Sequence, residues 1–168
     1  WLARMLNAGE DPLYIARRLI RMAVEDIGLA DPEALSIAQE AHRTYRLLGS
    51  PEGELALAQA AVYLALSPKS NRIYEAFNKA KDYAEKTDYL PPPSTIINAS
   101  TKLMKDLGYG EGYIYDHETK YGFSGQNYFP DKKSIRFYYP QNRGFEKEMQ
   151  KRMDFFQKLK NLYRLNKD

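Results

Sequence analysis

The sequence predicts a mainly α-helical protein: an antiparallel array of helices, then an irregular tyrosine-rich wrap and a C-terminal helix. Three observations lead there. Proline recurs at near-regular intervals through the first half, each time behind Asp or Ser. Between those prolines, apolar residues return with the helical period. From 109 to 139 glycine and tyrosine displace that period.

In order along the chain, Trp1, Leu2, Met5 and Leu6 already fit an apolar helical stripe, so the chain reads as beginning inside a helix. With no initiator Met, a cut fragment or a processed product is expected. Asp11-Pro12, Asp31-Pro32 and Ser50-Pro51 each join an N-cap residue to a proline suited to the first helical position. The Asp or Ser oxygen accepts from amides that lack a helical partner, and proline has no N–H to leave unsatisfied. Ser67-Pro68 ends one helix, and Ser70 opens the next. The spacing predicts four helices of about 14–17 residues with short links.

Each helix has a readable face. After Pro12, the stripe is Ala16, Leu19, Ile20, Ala23 and Ile27, with Arg17, Arg18 and Arg21 opposite. After Pro32 it is Ala34, Ala38, Ala41, Tyr45 and Leu48, and Gly49 stops the helix. The run from Leu55 to Leu66 is apolar nearly all round, broken by Gln59, which predicts a central helix covered on most sides. From about Ser70 to Lys86 the stripe is Ile73, Ala76, Phe77, Ala80 and Ala84. Leu57, Val62, Leu64, Ile73 and Phe77 are the residues expected in the core or in contacts between copies.

Pro91-Pro92-Pro93 centres a break over 87–99, and a short helix from Thr101 to Leu107 ends at Gly108. Residues 109–139 hold Tyr109, Tyr113, Tyr115, Tyr121, Tyr128, Tyr138 and Tyr139, half of the 14 tyrosines, so this stretch needs a use for many rings. Glycines at 110, 112, 122 and 125 deny it a helical period. Packing is the preferred use, because tyrosine buries a ring while its hydroxyl keeps a partner. The alternative is a surface for stacking single-stranded bases, because Lys120, Lys132, Lys133 and Arg136 are interleaved. The last segment, Gly144 to about Leu165, returns to helix, with Phe145, Met149, Phe156, Leu159 and Tyr163 on one face and Lys147, Lys151 and Lys158 opposite.

Composition excludes several classes. There is no Cys, hence no disulfide, thiol catalysis or Cys-based zinc site. No charged-then-apolar leader and no long apolar run is present, so no signal peptide and no membrane span are expected. At 43% hydrophobic and 28% charged, the chain reads as globular rather than disordered. The net charge of +3 is too small to imply a nucleic-acid partner by itself. Its distribution is uneven: 6 Lys/Arg against 9 Asp/Glu in 1–54, 11 against 9 in 55–141, and 8 against 4 in 142–168. If the chain touches nucleic acid, Arg143, Lys147, Lys151 and Lys158 in that last segment are the candidate contacts, made to phosphates. The bland alternative is a solvated helix face.

No GxxxxGK[ST] loop occurs, so no ATP hydrolysis by this chain is expected, and there is no GxSxG or HExxH. His117 lies between Asp116 and Glu118, but adjacent residues rarely converge on one ion and His42 sits in another helix, so no metal site is expected. Glu25 and Asp26, adjacent on a helix, point about 100° apart and cannot share acid–base work. A structural ion pair with Arg17, Arg18 or Arg21 is the better reading. No residue is assigned a catalytic, cofactor or metal role.

The strings Trp1-Leu2-Ala3-Arg4-Met5-Leu6, Ala8-Gly9-Glu10-Asp11-Pro12 and Ile15-Ala16-Arg17-Arg18-Leu19 resemble the MgsA/RarA family of AAA+ ATPases. So do Glu25-Asp26-Ile27-Gly28-Leu29-Ala30-Asp31-Pro32, Pro51-Glu52-Gly53-Glu54 and Ala65-Leu66-Ser67-Pro68-Lys69-Ser70-Asn71. The match resumes at Thr101-Lys102-Leu103-Met104-Lys105, Leu107-Gly108-Tyr109-Gly110, Tyr138-Tyr139-Pro140 and Gly144-Phe145-Glu146. The family includes the eukaryotic Werner-helicase-interacting protein.

The resemblance implies a clamp-loader-collar-like helical region that forms a homotetramer. It implies an upstream AAA+ module that binds ATP and Mg2+, with no cofactor in this chain. The parent is implied to be a cytoplasmic, nucleoid-associated, DNA-dependent ATPase of replication-fork maintenance and recombination, in contact with DNA and single-strand-binding protein. Residues 1–88 are read as the oligomerisation core, and 89–168 as short helix, wrap and C-terminal helix packed on it, or all as one structural unit. Two functions follow: a non-catalytic oligomerisation domain, or a single-stranded nucleic-acid-binding module using the basic last helix and the wrap.

Overall fold

The computed structural model describes residues 1–129 and 135–165, the last two by backbone alone. Lys132 and Lys133, named above, lie outside the described residues. Among the described residues the fold is all helical, with α1 (Leu2–Asn7), α2 (Pro12–Met22), α3 (Glu33–Leu48), α4 (Glu54–Leu66), α5 (Arg72–Lys86), α6 (Lys102–Asp106) and α7 (Glu146–Leu165). Two compact units divide the chain: Trp1–Lys79 with Tyr138–Gln150, and Ala80–Phe137 with the chain from Lys151 onward.

The first unit is built on α2, α3 and α4. Asp11 caps α2, its carboxylate accepting from the Leu13 amide at 2.9 Å, with Pro12 at the first helical position. Asp31 accepts from Glu33 N at 3.2 Å, but here Pro32 takes the cap position and α3 starts one residue later than expected, at Glu33. The third such pair behaves differently. The Ser50–Pro51 bond is cis, the Ser50 hydroxyl lies 3.0 Å from the Tyr45 hydroxyl, and α4 starts three residues after Pro51 with Gly53 as its cap. Gly53 stands where α3 and α4 approach closely, since a Cβ there would lie 2.7 Å from Gly49 O and 2.8 Å from Tyr45 Cα.

Ile15, Ala16, Leu19, Ala23 and Ile27 of the second segment meet Ala34, Ala38 and Ala41 of α3 and Leu57, Ala60 and Leu64 of α4 in one buried cluster. The many alanines let these helices approach. Leu48, expected on the stripe of α3, is instead exposed at its C-terminal end. After Met22 the helix continues as a π-turn over Ala23–Ile27, then one 3-10 turn over Gly28–Ala30. The extra residue in that wider turn keeps Ile27 in the core at full burial.

Lys69 closes α4. Its ammonium donates to the carbonyls of Leu64 at 2.7 Å, Ala65 at 3.3 Å and Ser67 at 2.5 Å, satisfying groups a helix end leaves open.

In the second unit, Thr101 caps α6 by accepting from Met104 N at 3.2 Å. Among its described residues the wrap is irregular, as expected, with a 3-10 turn over Asp116–Glu118. It is held by side chains acting on backbone. Gln126 accepts from Ile114 N at 3.1 Å and donates to Gly112 O at 2.7 Å. Asp116 accepts from Ser124 N at 2.7 Å. Its rings pack on helix: Phe129 and Phe137 lie 6.1 and 5.8 Å from the Tyr83 ring.

The hydrogen bonds from Ser124 hold the Asp116 carboxyl below its ordinary range. A depressed folded pKa adds stability above the unfolded value and loses it as pH falls through the folded one. Asp116→Asn is therefore expected to lower the melting temperature at neutral pH, with the gap to wild type closing in acid. A gap that is constant with pH would show that the charge plays no part.

Candidate assembly surface

Helix α4 has two apolar faces, and the single chain covers one. Leu57, Ala60 and Leu64, spaced three and four apart, are all fully buried. Leu55, Val62 and Leu66 form the opposite line with Gln59, and stand 75%, 61% and 82% exposed. The helix is thus not enclosed on most sides as its composition predicted. Its hydrophobicity overdetermines what one core needs, and the surplus faces water. Leu47 and Leu48, at the end of α3, are exposed as well.

A second apolar surface joins α2 and its π-turn to α5. Ile20, Val24, Ile73, Tyr74 and Phe77, with Arg17, Arg21 and Glu25, line a groove of about 450 Å3. Arg21 Nε reaches Glu25 Oε2 at 2.6 Å, the ion pair expected for this carboxylate, and holds its carboxyl below the ordinary range mainly through that hydrogen bond. Of the five residues named from sequence, Leu57 and Leu64 are core. Val62 lies on the open face of α4, and Ile73 and Phe77 in the groove.

Sequence reasoning missed the joint at Glu146. This carboxylate is fully buried, and the groups that donate to it among the described residues are two hydroxyls and a backbone amide. Oε2 accepts from Ser70 Oγ at 2.9 Å and from Gln141 N at 2.7 Å, and Oε1 accepts from the Tyr138 hydroxyl at 2.9 Å. Burial first, and then that bond, push the Tyr138 phenol well above its ordinary range. Beside it, Phe145 N donates to Ala30 O at 2.8 Å. Gly144 allows this approach, because its φ is +50° and a Cβ there would run into the Ala30 carbonyl. Asp31 makes a second joint, accepting from Ser67 Oγ at 2.9 Å and from the Tyr63 phenol, which that bond raises. The only sequence signal was the isolated string Gly144-Phe145-Glu146 after a proline.

The four basic candidates are all exposed. Arg143 and Lys147 belong to the first unit, where Arg143 Nη1 donates to Lys69 O at 3.3 Å, and Lys151 and Lys158 to the second. His117 packs at a tilt of 49° against Tyr115, with ring centroids 4.9 Å apart. No helix among the described residues is long and apolar enough to cross a membrane.

A family model described as "MgsA AAA+ ATPase C terminal" matches residues 1–157. The chain is 46% identical over 170 residues to "Replication-associated recombination protein A" of Coxiella burnetii, covering 100% of this chain and 39% of that protein. It is 48% identical over 149 residues to the protein of the same name in Escherichia coli K12, covering 87% of this chain and 33% of that one. A eukaryotic relative, "ATPase WRNIP1" of Dictyostelium discoideum, is 48% identical over 117 residues, 70% of this chain and 13% of that protein. The chain therefore spans well under half the length of the curated relatives it matches.

Proposed function

The chain belongs to the MgsA AAA+ ATPase C-terminal family, and we propose that its work is assembly: it holds copies of a longer AAA+ ATPase together as a homotetramer. Residues 1–88 are the assembly core. The observation that carries this reading is the line Leu55, Val62 and Leu66, open on a helix whose opposite line is fully buried. Burying one such side chain is worth about 1.5–3 kcal/mol, and grouped apolar exposure of this kind marks a protein interface. The groove holding Ile73 and Phe77 is the second contact surface.

The remaining activities are proposed for the whole protein. An upstream AAA+ module binds ATP with Mg2+ and hydrolyses it in response to DNA. The names of the bacterial relatives point to replication-associated recombination. The parent works in the cytoplasm, at the nucleoid, on forks carrying DNA and single-strand-binding protein.

Gel filtration with light scattering tests the assembly reading. At micromolar concentration the chain should elute at four times its 19.5 kDa mass. Val62→Asp should reduce that mass while leaving helicity and melting little changed, because Val62 is exposed in the single chain. A monomeric wild-type chain, or a Val62→Asp variant of unchanged mass, would sink the proposal.

A further inference from the structure

We propose that the pocket beside α1 seats the stretch of the parent chain that precedes Trp1, continuing α1 as a helix along α2 and its π-turn. This rests on the reading above that a longer parent carries its AAA+ module upstream. The matched stretch is 39% of the Coxiella burnetii relative, and the matching family model is described as C-terminal, so the remainder of such a parent lies before Trp1. The pocket holds about 640 Å3. Leu2 and Met5 of α1, Ile15, Leu19 and Met22 of α2, and Ala61 of α4 form its apolar lining. Met22 is 39% exposed, and Trp1, at the head of α1, is 91% exposed.

Helix lengths say what is missing from the pocket. Residues 8–11 join α1 to α2, and Gly9 turns the chain there at φ +82°, so the two helices run as antiparallel neighbours. At about 1.5 Å per residue α1 is roughly 9 Å long, whereas α2 with its π-turn is roughly 24 Å. The first turns of α2 therefore have α1 beside them, and residues 19–26 do not. About ten more helical residues before Leu2 would cover the difference. The polar wall of the pocket holds one satisfied pair and two open groups. Arg21 and Glu25 meet at 2.6 Å. Arg18 and the Asp26 carboxylate, both in the lining, make no hydrogen bond or ion pair among the described residues. The surface thus suits an amphipathic helix, apolar toward Leu19 and Met22, with side chains of both signs at its edges. A helix of a second copy must find the pocket from solution. The upstream stretch is tethered at Leu2, inside the lining itself, at an effective concentration on the order of millimolar. Seated this way, it joins the AAA+ module to the assembly core as a strut rather than a loose tether.

The test compares the 168-residue chain with its full-length parent. This chain has no Cys, so Met22→Cys gives it a single thiol, at an exposed position that should spare the fold. Alkylation by a maleimide is followed by mass spectrometry of the peptide that carries residue 22, with thermal melting of each variant. The thiol should react roughly tenfold or more slowly in the parent, because burying a side chain of this size stabilises the closed state by at least one decade. Hydrogen exchange in the wild-type parent should show the amides just before Trp1 protected. Met22→Asp should speed their exchange roughly tenfold while leaving the melting of the 168-residue chain unchanged. Equal alkylation rates in chain and parent overturn the proposal. So does fast exchange before Trp1 in the wild-type parent, which gives the pocket to another part of the protein, or unchanged exchange in Met22→Asp. Slow alkylation in the 168-residue chain itself assigns the pocket to contacts between copies and overturns it equally. The assembly reading is judged separately, by the mass of the chain in solution.

Discussion

Leu57→Asp is expected to abolish cooperative melting of the first unit and to leave an aggregating or molten chain. Leu57 is fully buried on the inner line of α4, in a cluster drawn from α2, the π-turn, α3 and α4. Its buried members are all Ile, Leu and Ala. A carboxylate placed there must lose its water, or take a proton and lose its charge. Either costs several kcal/mol, which is on the order of a whole domain's stability. Circular dichroism against temperature measures it. A soluble variant with a wild-type melting curve would show that the inner line of α4 is not the core. The contrast with Val62→Asp is informative, since five residues further along the same helix a carboxylate should spare the fold.

Glu146→Ala is the second change with a large expected effect. It leaves the Ser70 hydroxyl, the Tyr138 hydroxyl and the Gln141 amide without their acceptor, and opens a cavity. Ser70 is buried and the other two donors are half-buried, and an unsatisfied buried donor costs about 1–3 kcal/mol, so a loss of roughly 2 kcal/mol is expected. Urea melts give the size, and faster hydrogen exchange at the Gln141 amide gives the place. Glu146→Gln should fall between, because the amide oxygen still accepts but its NH2 faces donors. Wild-type urea stability together with unchanged exchange in Glu146→Ala would mean that the joint contributes nothing.

Features decided within a few residues were legible in the sequence. Asp11-Pro12 read correctly because a capping carboxylate acts on an amide two residues away, and Asp31 makes the same bond to Glu33 although Pro32 holds the cap position. Thr101, read as the first residue of the short helix, instead caps it from outside, accepting from an amide three residues on. Ser50-Pro51 looked identical on paper, but the Ser50 hydroxyl sits against Tyr45 of the preceding helix, and the cap passes to Gly53. The alanine stripe of α3 was visible from its period, whereas the outer face of α4 was not, because a helix apolar on every side gives no phase to say which side is covered. Glu146 was invisible for another reason. An acidic residue at a helix start is expected in water, and its burial depends on donors at 70, 138 and 141, two of them local and one far away. In the candidate surface, the residues named for apolar character were found, but not which of them faced in.

The Ser70–Glu146 bond joins residues 76 apart in sequence, while the α2–α3–α4 core is made of consecutive neighbours. Closing so long a loop carries an entropic cost that neighbouring helices do not meet. During synthesis, the helices up to α4 have all their packing partners before Glu146 has been made. They can settle first, with residues 138–146 added as the closing event. Until then the Ser70 hydroxyl and the Ala30 carbonyl face solvent. A chain interrupted before residue 138 should therefore retain its helical core yet present two polar anchor points with nothing docked on them.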